Sequence, residues 1–174
     1  MHRCFVMTVV GPDRPGLVES IASLVTAHGG NWQESRMLRL GGQFAGMLRV
    51  DLPEEQQTLF LQSLKQLEAK GLTAVFQPDQ SGASAEPVRV TAIEIVGQDR
   101  PGIIRDISRA LARHGVNVEE LESEVSSAAM SGEALFKARL NLSLPAPCNT
   151  VDLRSDLERI AADLIVDISF CDLP

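Results

Sequence analysis

Cysteine is scarce. Cys4, Cys148 and Cys171 are the only three in 174 residues, far apart and without a Cys-x-x-Cys pair. Such spacing argues against a disulfide framework or a zinc knuckle and leaves buried or neutral thiols. Basic residues are outnumbered, sixteen Lys and Arg against twenty-three Asp and Glu, for a formal charge of −7. A surface of that sign repels a phosphate backbone unless its cations gather on one face, so direct nucleic-acid binding is not expected. No run approaches the roughly 20 apolar residues of a membrane-spanning helix. The apolar stretch from Cys4 to Val10 is broken by Thr8 and stopped by Gly11-Pro12, unlike a signal peptide, so the expected address is cytoplasmic with no membrane partner.

Catalytic signatures are also missing. The sequence has no Gly-x-Ser-x-Gly elbow, no His-Glu-x-x-His, no phosphate-binding loop ending Gly-Lys-Ser/Thr and no Gly-x-Gly-x-x-Gly after a strand. Three scattered histidines and dispersed carboxylates give no nucleophile an evident base, so no enzyme is expected. His2 and Cys4 are two potential metal ligands without a second pair, and neither metal nor cofactor is expected.

What the chain has is the balance of a packed globular protein, 44% hydrophobic with mean hydropathy +0.03. It is also written twice. Gly11-Pro12-Asp13-Arg14-Pro15-Gly16 aligns with Gly97-Gln98-Asp99-Arg100-Pro101-Gly102 at an offset of 86 residues. Without a gap, Ile21 then meets Ile107, His28-Gly29 meets His114-Gly115, Asn31 meets Asn117 and Glu34 meets Glu120. A period of that length is a small domain rather than a solenoid repeat. Residues 79–87, free of large apolar side chains, have the composition of a linker between domains at 1–78 and 88–174. The first domain balances seven basic against seven acidic residues, whereas the second has nine against fourteen.

Each copy opens with a short β-branched run, Phe5 to Val10 or Val88 to Ile95, read as a strand. Leu17, Val18, Ile21, Leu24 and Val25 then fall on one helical stripe, repeated by Ile103, Ile104, Ile107, Ala110 and Leu111. Gly29 and Gly115 follow as stops that need a positive φ. After a further strand, Phe44 to Leu52 and Phe136 to Leu144 alternate inward and outward up to Pro53 and Pro145. The offset there is 92, so the preceding hairpin is six residues longer in the second copy, around residues 126–132. A second helix carries Leu59, Phe60, Leu64 and Leu67, or Leu153, Leu157, Ile160 and Ala161. Strands at Leu72 to Phe76 and Leu164 to Phe170 close the copies. The order β-α-β-β-α-β, twice, predicts two α+β ferredoxin-like sandwiches, each an antiparallel sheet with both helices on one face. Side-by-side pairing of copies is the simplest way to protect their edges.

The Gly-x-Asp-Arg-Pro-Gly corner joins strand to helix. Its first Gly suits a tight exit, Asp can cap backbone N–H groups, and Pro fits a first helical turn. Gly16 and Gly102 lack a Cβ and admit a carboxylate to the helix N-terminus. Asn31 and Asn117, expected where the helix returns to the same region, offer both donors and an acceptor, and an amino acid needs both polarities. A well-made turn and cap with no ligand accounts for the same residues. His28 and His114 belong to last helical turns and suit structure better than ligand contact. The Glu119-Glu120-Leu121-Glu122-Ser123-Glu124 run reads as a solvated edge or, more sharply, as a dock for a basic partner. Trp32, the only Trp, stands beside Asn31 as a probe.

The corner followed by His-Gly-x-Asn within this element order closely resembles the ACT domain, whose members commonly bind amino acids between two copies. A free-standing tandem of this length is similar to the glycine cleavage system transcriptional repressor family. That resemblance implies ligand contact by Asp13, Arg14, Pro15, Gly16 and Asn31, and by Asp99, Arg100, Pro101, Gly102 and Asn117. It implies a small amino acid, glycine among the candidates, and action through a DNA-bound protein regulator, with a homodimer possible. Pro12 against Gln98, and Gly30-Asn31-Trp32 against Val116-Asn117-Val118, imply two sites of different size, or one that binds and one that does not. A free-standing regulatory subunit of an amino-acid enzyme and a small enzyme on a ferredoxin-like frame are the alternatives.

Overall fold

The computed structural model describes residues 1–69, 71–80, 88–127 and 133–172. The chain divides into two compact units, Met1–Ala83 and Ser84–Pro174. Most of the expected linker, residues 81–87, and most of the longer hairpin, residues 128–132, lie outside the described residues.

Unit 1 runs β1 (His2–Pro12), α1 (Leu17–Ala27), β2 (Asn31–Leu40), β3 (Gln43–Pro53), a 3-10 turn (Glu54–Gln56), α2 (Gln57–Ala69) and β4 (Thr73–Pro78). Unit 2 repeats the order as β5 (Val88–Gln98), α3 (Ile103–Arg113), β6 (Asn117–Ser127), β7 (Ala134–Pro145), α4 (Thr150–Leu164) and β8 (Val166–Asp172). The antiparallel sheets have strand orders β2-β3-β1-β4 and β6-β7-β5-β8. This is the ferredoxin-like order that the doubled periodicity predicts.

Alternation builds each core. Phe5, Met7 and Val9 of β1 and Phe44, Leu48, Val50 and Leu52 of β3 turn inward onto Ile21 and Val25 of α1 and Phe60, Leu64 and Leu67 of α2. In unit 2, Ile93, Ile95, Leu140 and Leu142 meet Ile107, Leu111, Leu153 and Leu157. Two expectations shift. Leu59 is half exposed because the buried stripe of α2 begins at Phe60. Leu164 ends α4 rather than opening the last strand, which begins at Val166 after Ile165 turns to a φ of 57°. The outer strands β2 and β6 each carry a bulge, between Trp32 and Glu34 and between Val118 and Glu120, which disturbs the regular ladder at those edges.

The helices of each unit are braced at the same place. His28 caps α1, meets Ser63 Oγ of α2 at 3.1 Å, and lies edge-on to Phe60 with centroids 5.5 Å apart. His114 caps α3 and its Nε2 is 2.9 Å from Asp156 Oδ2 of α4. Gly29 and Gly115 follow at φ 66° and 69°, the positive values expected of helix stops.

Gly11 and Gly97 have a different role from the one their sequence suggests. Neither has a positive φ. A Cβ on Gly11 would stand 2.5 Å from the Gly71 carbonyl oxygen, and one on Gly97 2.8 Å from that of Ile165. Close approach of the last strand's entry requires glycine there, so Gly11→Ala and Gly97→Ala should each lose roughly 1–3 kcal/mol in urea denaturation. A second prediction concerns acid. The hydrogen bond with His114 holds the Asp156 carboxyl below its ordinary value of 3.8. A lowered folded-state value adds stability that is present above the unfolded value and lost as pH falls through the folded one. Asp156→Asn should therefore flatten the acid limb of a melting-temperature profile below about pH 4.

Candidate functional site

The corner after β1 is latched to a neighbouring hairpin. Pro12 pairs with Gln43, the Asp13 N–H donates to the Gly42 carbonyl at 2.9 Å, and Arg39 Nε reaches Asp13 Oδ2 at 2.8 Å. In unit 2 the Asp99 N–H donates to the Ala134 carbonyl at 2.9 Å, and Arg100 donates to Gln98 Oε1 at 3.0 Å. Asp13 and Asp99 do not cap the helices. The N-cap residues are Gly16 and Gly102, at φ 89° and 101°, and no side chain caps α1 or α3. Pro15 and Pro101 precede the helices instead of forming their first turns. A residue at such φ must be glycine, and glycine has no side chain to offer the free N–H groups. Both helix starts therefore keep their anion-binding character.

The two corners then diverge. Asp13, Arg14, Gly16, Val18, Glu19 and Phe44 line an open depression of about 530 Å3 at the start of α1. A Cβ built on Gly16 would meet nothing within 4 Å. On Gly102 it would stand 3.0 Å from Arg105 Nη2 and 3.5 Å from Asp106 Oδ2. Arg105 is held there by a two-pronged pair with Asp106, at 2.8 and 3.0 Å. Their mutual hydrogen bonds raise the guanidinium's pKa and lower the carboxyl's. The aligned residues of unit 1 are Glu19 and Ser20. One corner is open with an acid at its side, and the other is occupied by its own guanidinium.

Asn31 and Asn117 do not join these corners within their own units. Asn31 pairs with Asp51, and Asp51 pairs with Cys4 near the start of β1, whereas the corner follows Gly11, whose partner is Phe44. Seven residue steps along β3 separate the two places, roughly 23 Å of strand. Asn117 is likewise opposite Ser143 at the far end of β7. The eleven residues of α1 carry the chain about 16 Å back along the sheet, so the next strand begins at the opposite end. Trp32 shares that distant end and packs on the unit 1 core, so it does not report directly on the corner of its own unit.

The acidic run lies in β6, and Glu119, Glu120 and Glu124 have local partners. Asn117 Nδ2 and Ser143 Oγ donate to Glu119 at 2.7 and 2.6 Å, and Asn141 donates to Glu120 at 2.8 Å. Lys137 lies 3.9 Å from Glu124. Cys148 is buried, and Cys4 and Cys171 are partly so. Among the described residues, no cluster of three or more His, Cys, Asp and Glu is arranged to hold a metal, and no helix is long and apolar enough to cross a membrane.

Paired βαββαβ units with a glycine-capped first helix define a tandem ACT-domain protein, and family models for the ACT domain match residues 3–77 and 91–136. The chain belongs to that family. It is also related to the glycine cleavage system transcriptional repressor of Escherichia coli, with 23% identity over 161 residues that cover 91% of this chain and 84% of the repressor. A solved protein of unknown function from Galdieria sulphuraria shares the whole fold, with a TM-score of 0.86, 26% identity and 100% of both chains covered. A structure described provisionally as a glycine cleavage system transcriptional repressor superposes with a TM-score of 0.70 over 98% of this chain and 96% of its own, at 19% identity. The chain is an ACT-domain regulatory protein of that kinship.

Proposed function

We propose that this protein senses a small amino acid and passes its occupancy to a DNA-bound protein regulator, without binding DNA itself. The observation that carries the reading is the uncapped start of α1, open to solvent beside Asp13 and Glu19. Its free N–H groups suit a carboxylate, and the neighbouring acids suit an ammonium. Arg14, Pro15 and Gly16 shape the approach. In unit 2, Asp99, Arg100, Pro101 and Gly102 form the matching corner, but Arg105 must swing away before a ligand can enter. Unit 1 is therefore the principal receptor.

An open depression of this size leaves much of a glycine-sized guest wet, so a second wall is needed for useful affinity. ACT members commonly bind between copies. In a homodimer, the far-end Asn31 or Asn117 of one chain would serve a ligand held by the corner of another. A ligand of about five heavy atoms at ~1.5 kcal/mol each gains at most about 7 kcal/mol, which places Kd near or above ~10 μM. It can shift an arrangement only by its difference in affinity between states, a graded response of roughly 1–3 kcal/mol.

The partner-facing surface has a candidate on the outward side of the first sheet. Val75, Thr8 and Met47 form one cross-strand row there, and Val10, Ala45 and Leu38 form the next. Val10, Leu38, Met47 and Val75 are between 44% and 59% exposed, an apolar patch suited to a protein contact. The corresponding face of unit 2 carries Glu94, Glu122, Glu124, Lys137 and Arg139.

A thermal-shift screen of amino acids at millimolar concentration tests the reading. A small amino acid, glycine among the candidates, should raise the melting temperature. Glu19→Arg should abolish the shift, and Arg105→Ala should leave it intact. Pull-down should recover a DNA-binding protein, with no DNA retained by this chain alone. If no amino acid stabilises the protein and Asp13→Ala changes only folding stability, the corner is merely a turn. Copurification with a catalytic subunit would favour the enzyme-regulator alternative.

A further inference from the structure

Unit 2 contains a cavity where unit 1 has packed phenyl rings, and two of three aligned positions differ. Phe5 stands opposite Val50 in β3, and Thr91 stands opposite Leu142 at the same register of β7. Phe60 is the first buried residue of α2, and Leu153 is the first of α4. Phe76 lies across from Met7, and Phe170 lies across from Ile93. In unit 1 the three rings pack together, Phe5 stacked on Phe76 with centroids 4.5 Å apart and Phe60 tilted against Phe76 at 5.1 Å. Unit 2 keeps one ring and exchanges the others for a threonine and a leucine. The space left is a cavity of about 300 Å3, bounded by Thr91, Leu144, Thr150, Leu153 and Phe170 and flanked by Arg89 and Arg154.

Two guanidiniums beside an apolar cavity are unexpected in the more acidic half of the chain. Arg89 Nη2 donates to the Cys148 carbonyl at 3.2 Å, which holds the side chain in place and leaves further N–H groups available. The Arg154 guanidinium lies over Phe170, 4.4 Å from the ring centroid. Among the described residues, no carboxylate lines the cavity. Asp152, the acid in the first turn of α4, instead accepts a hydrogen bond from Asn149 at 2.7 Å. Asn149 also caps α4 with its side-chain oxygen, so the arginines rather than the helix start are the anion partners. Position 154 aligns with Leu61 of α2, so an arginine stands where the unit with the filled core has an aliphatic side chain.

We propose that this cavity binds a small carboxylate with an apolar body, its charge held by Arg89 and Arg154 and its body in the space that two phenyl rings occupy in unit 1. The volume lies at the lower end of the roughly 300–1,000 Å3 of small-molecule pockets. Two guanidiniums fit a planar carboxylate, and Thr150 can serve its second oxygen, whereas the Thr91 hydroxyl donates to the Cys171 carbonyl at 3.0 Å and lines the wall. This site is separate from the α1 corner and does not depend on the amino-acid reading.

The test is a titration of the full 15N-labelled chain with benzoate, butyrate and inorganic phosphate, followed by amide NMR. Benzoate or butyrate should move the amides of residues 89–91 and 150–154 in a saturable way, and phosphate should not match them. Arg154→Leu, at an exposed position, should weaken binding at least about tenfold, and Thr91→Phe, which restores a ring, should abolish it. Equal binding of phosphate would overturn the carboxylate class. Wild-type affinity in Arg154→Leu would mean that the guanidinium only roofs Phe170, and absence of shifts at these amides with both organic probes would overturn the site.

Discussion

Each ACT unit begins its first helix from a glycine held in the left-handed region, and that backbone constraint decides what the corner can bind. Helix starts ordinarily satisfy their free N–H groups with a serine, threonine or aspartate side chain. Gly16 and Gly102 cannot do so, and the aspartates three residues earlier are turned toward the adjoining hairpins. The positive end of a helix dipole thus remains at a surface corner, where an anion can neutralise it. Close contact of Gly11 and Gly97 with the entries of β4 and β8 fixes where those corners stand.

Duplication supplied two such corners, and later substitution has separated them. Glu19 and Ser20 leave the first open, whereas Arg105 and Asp106 cover the second. A guanidinium at a helix N-terminus faces an unfavourable dipole, and its two-pronged bond to Asp106 offsets that repulsion. The cores diverge as well. Unit 1 is filled by a cluster of three phenyl rings, and unit 2 by smaller side chains with space remaining. The same frame therefore presents different chemistry in its two copies.

Most of the frame was legible from residues alone, because alternation, helical stripes and paired glycines all repeat at a domain-length offset. Gly29 and Gly115 were readable for the same reason. The placement of Asn31 and Asn117 was not. Sequence proximity to the helix suggested a shared region, yet a helix of three turns delivers the chain to the opposite end of the sheet. The use of Asp13 and Asp99 as caps also failed, since the following Pro-Gly moves the N-cap three residues onward. Arg105 has a signal in the sequence: aligning the repeats sets it against Glu19, a charge reversal beside an otherwise matched motif. The replacement of Phe5 and Phe60 by Thr91 and Leu153 needed strand register before it could be read as lost volume.

A crystal structure of the chain grown with saturating glycine, or with whichever amino acid stabilises it, is the most direct measurement. The ligand carboxylate should lie against the N–H groups that open α1, with Arg105 still over Gly102. An empty α1 corner beside a ligand that has displaced Arg105 at α3 would contradict this expectation, as would both corners vacant at saturation.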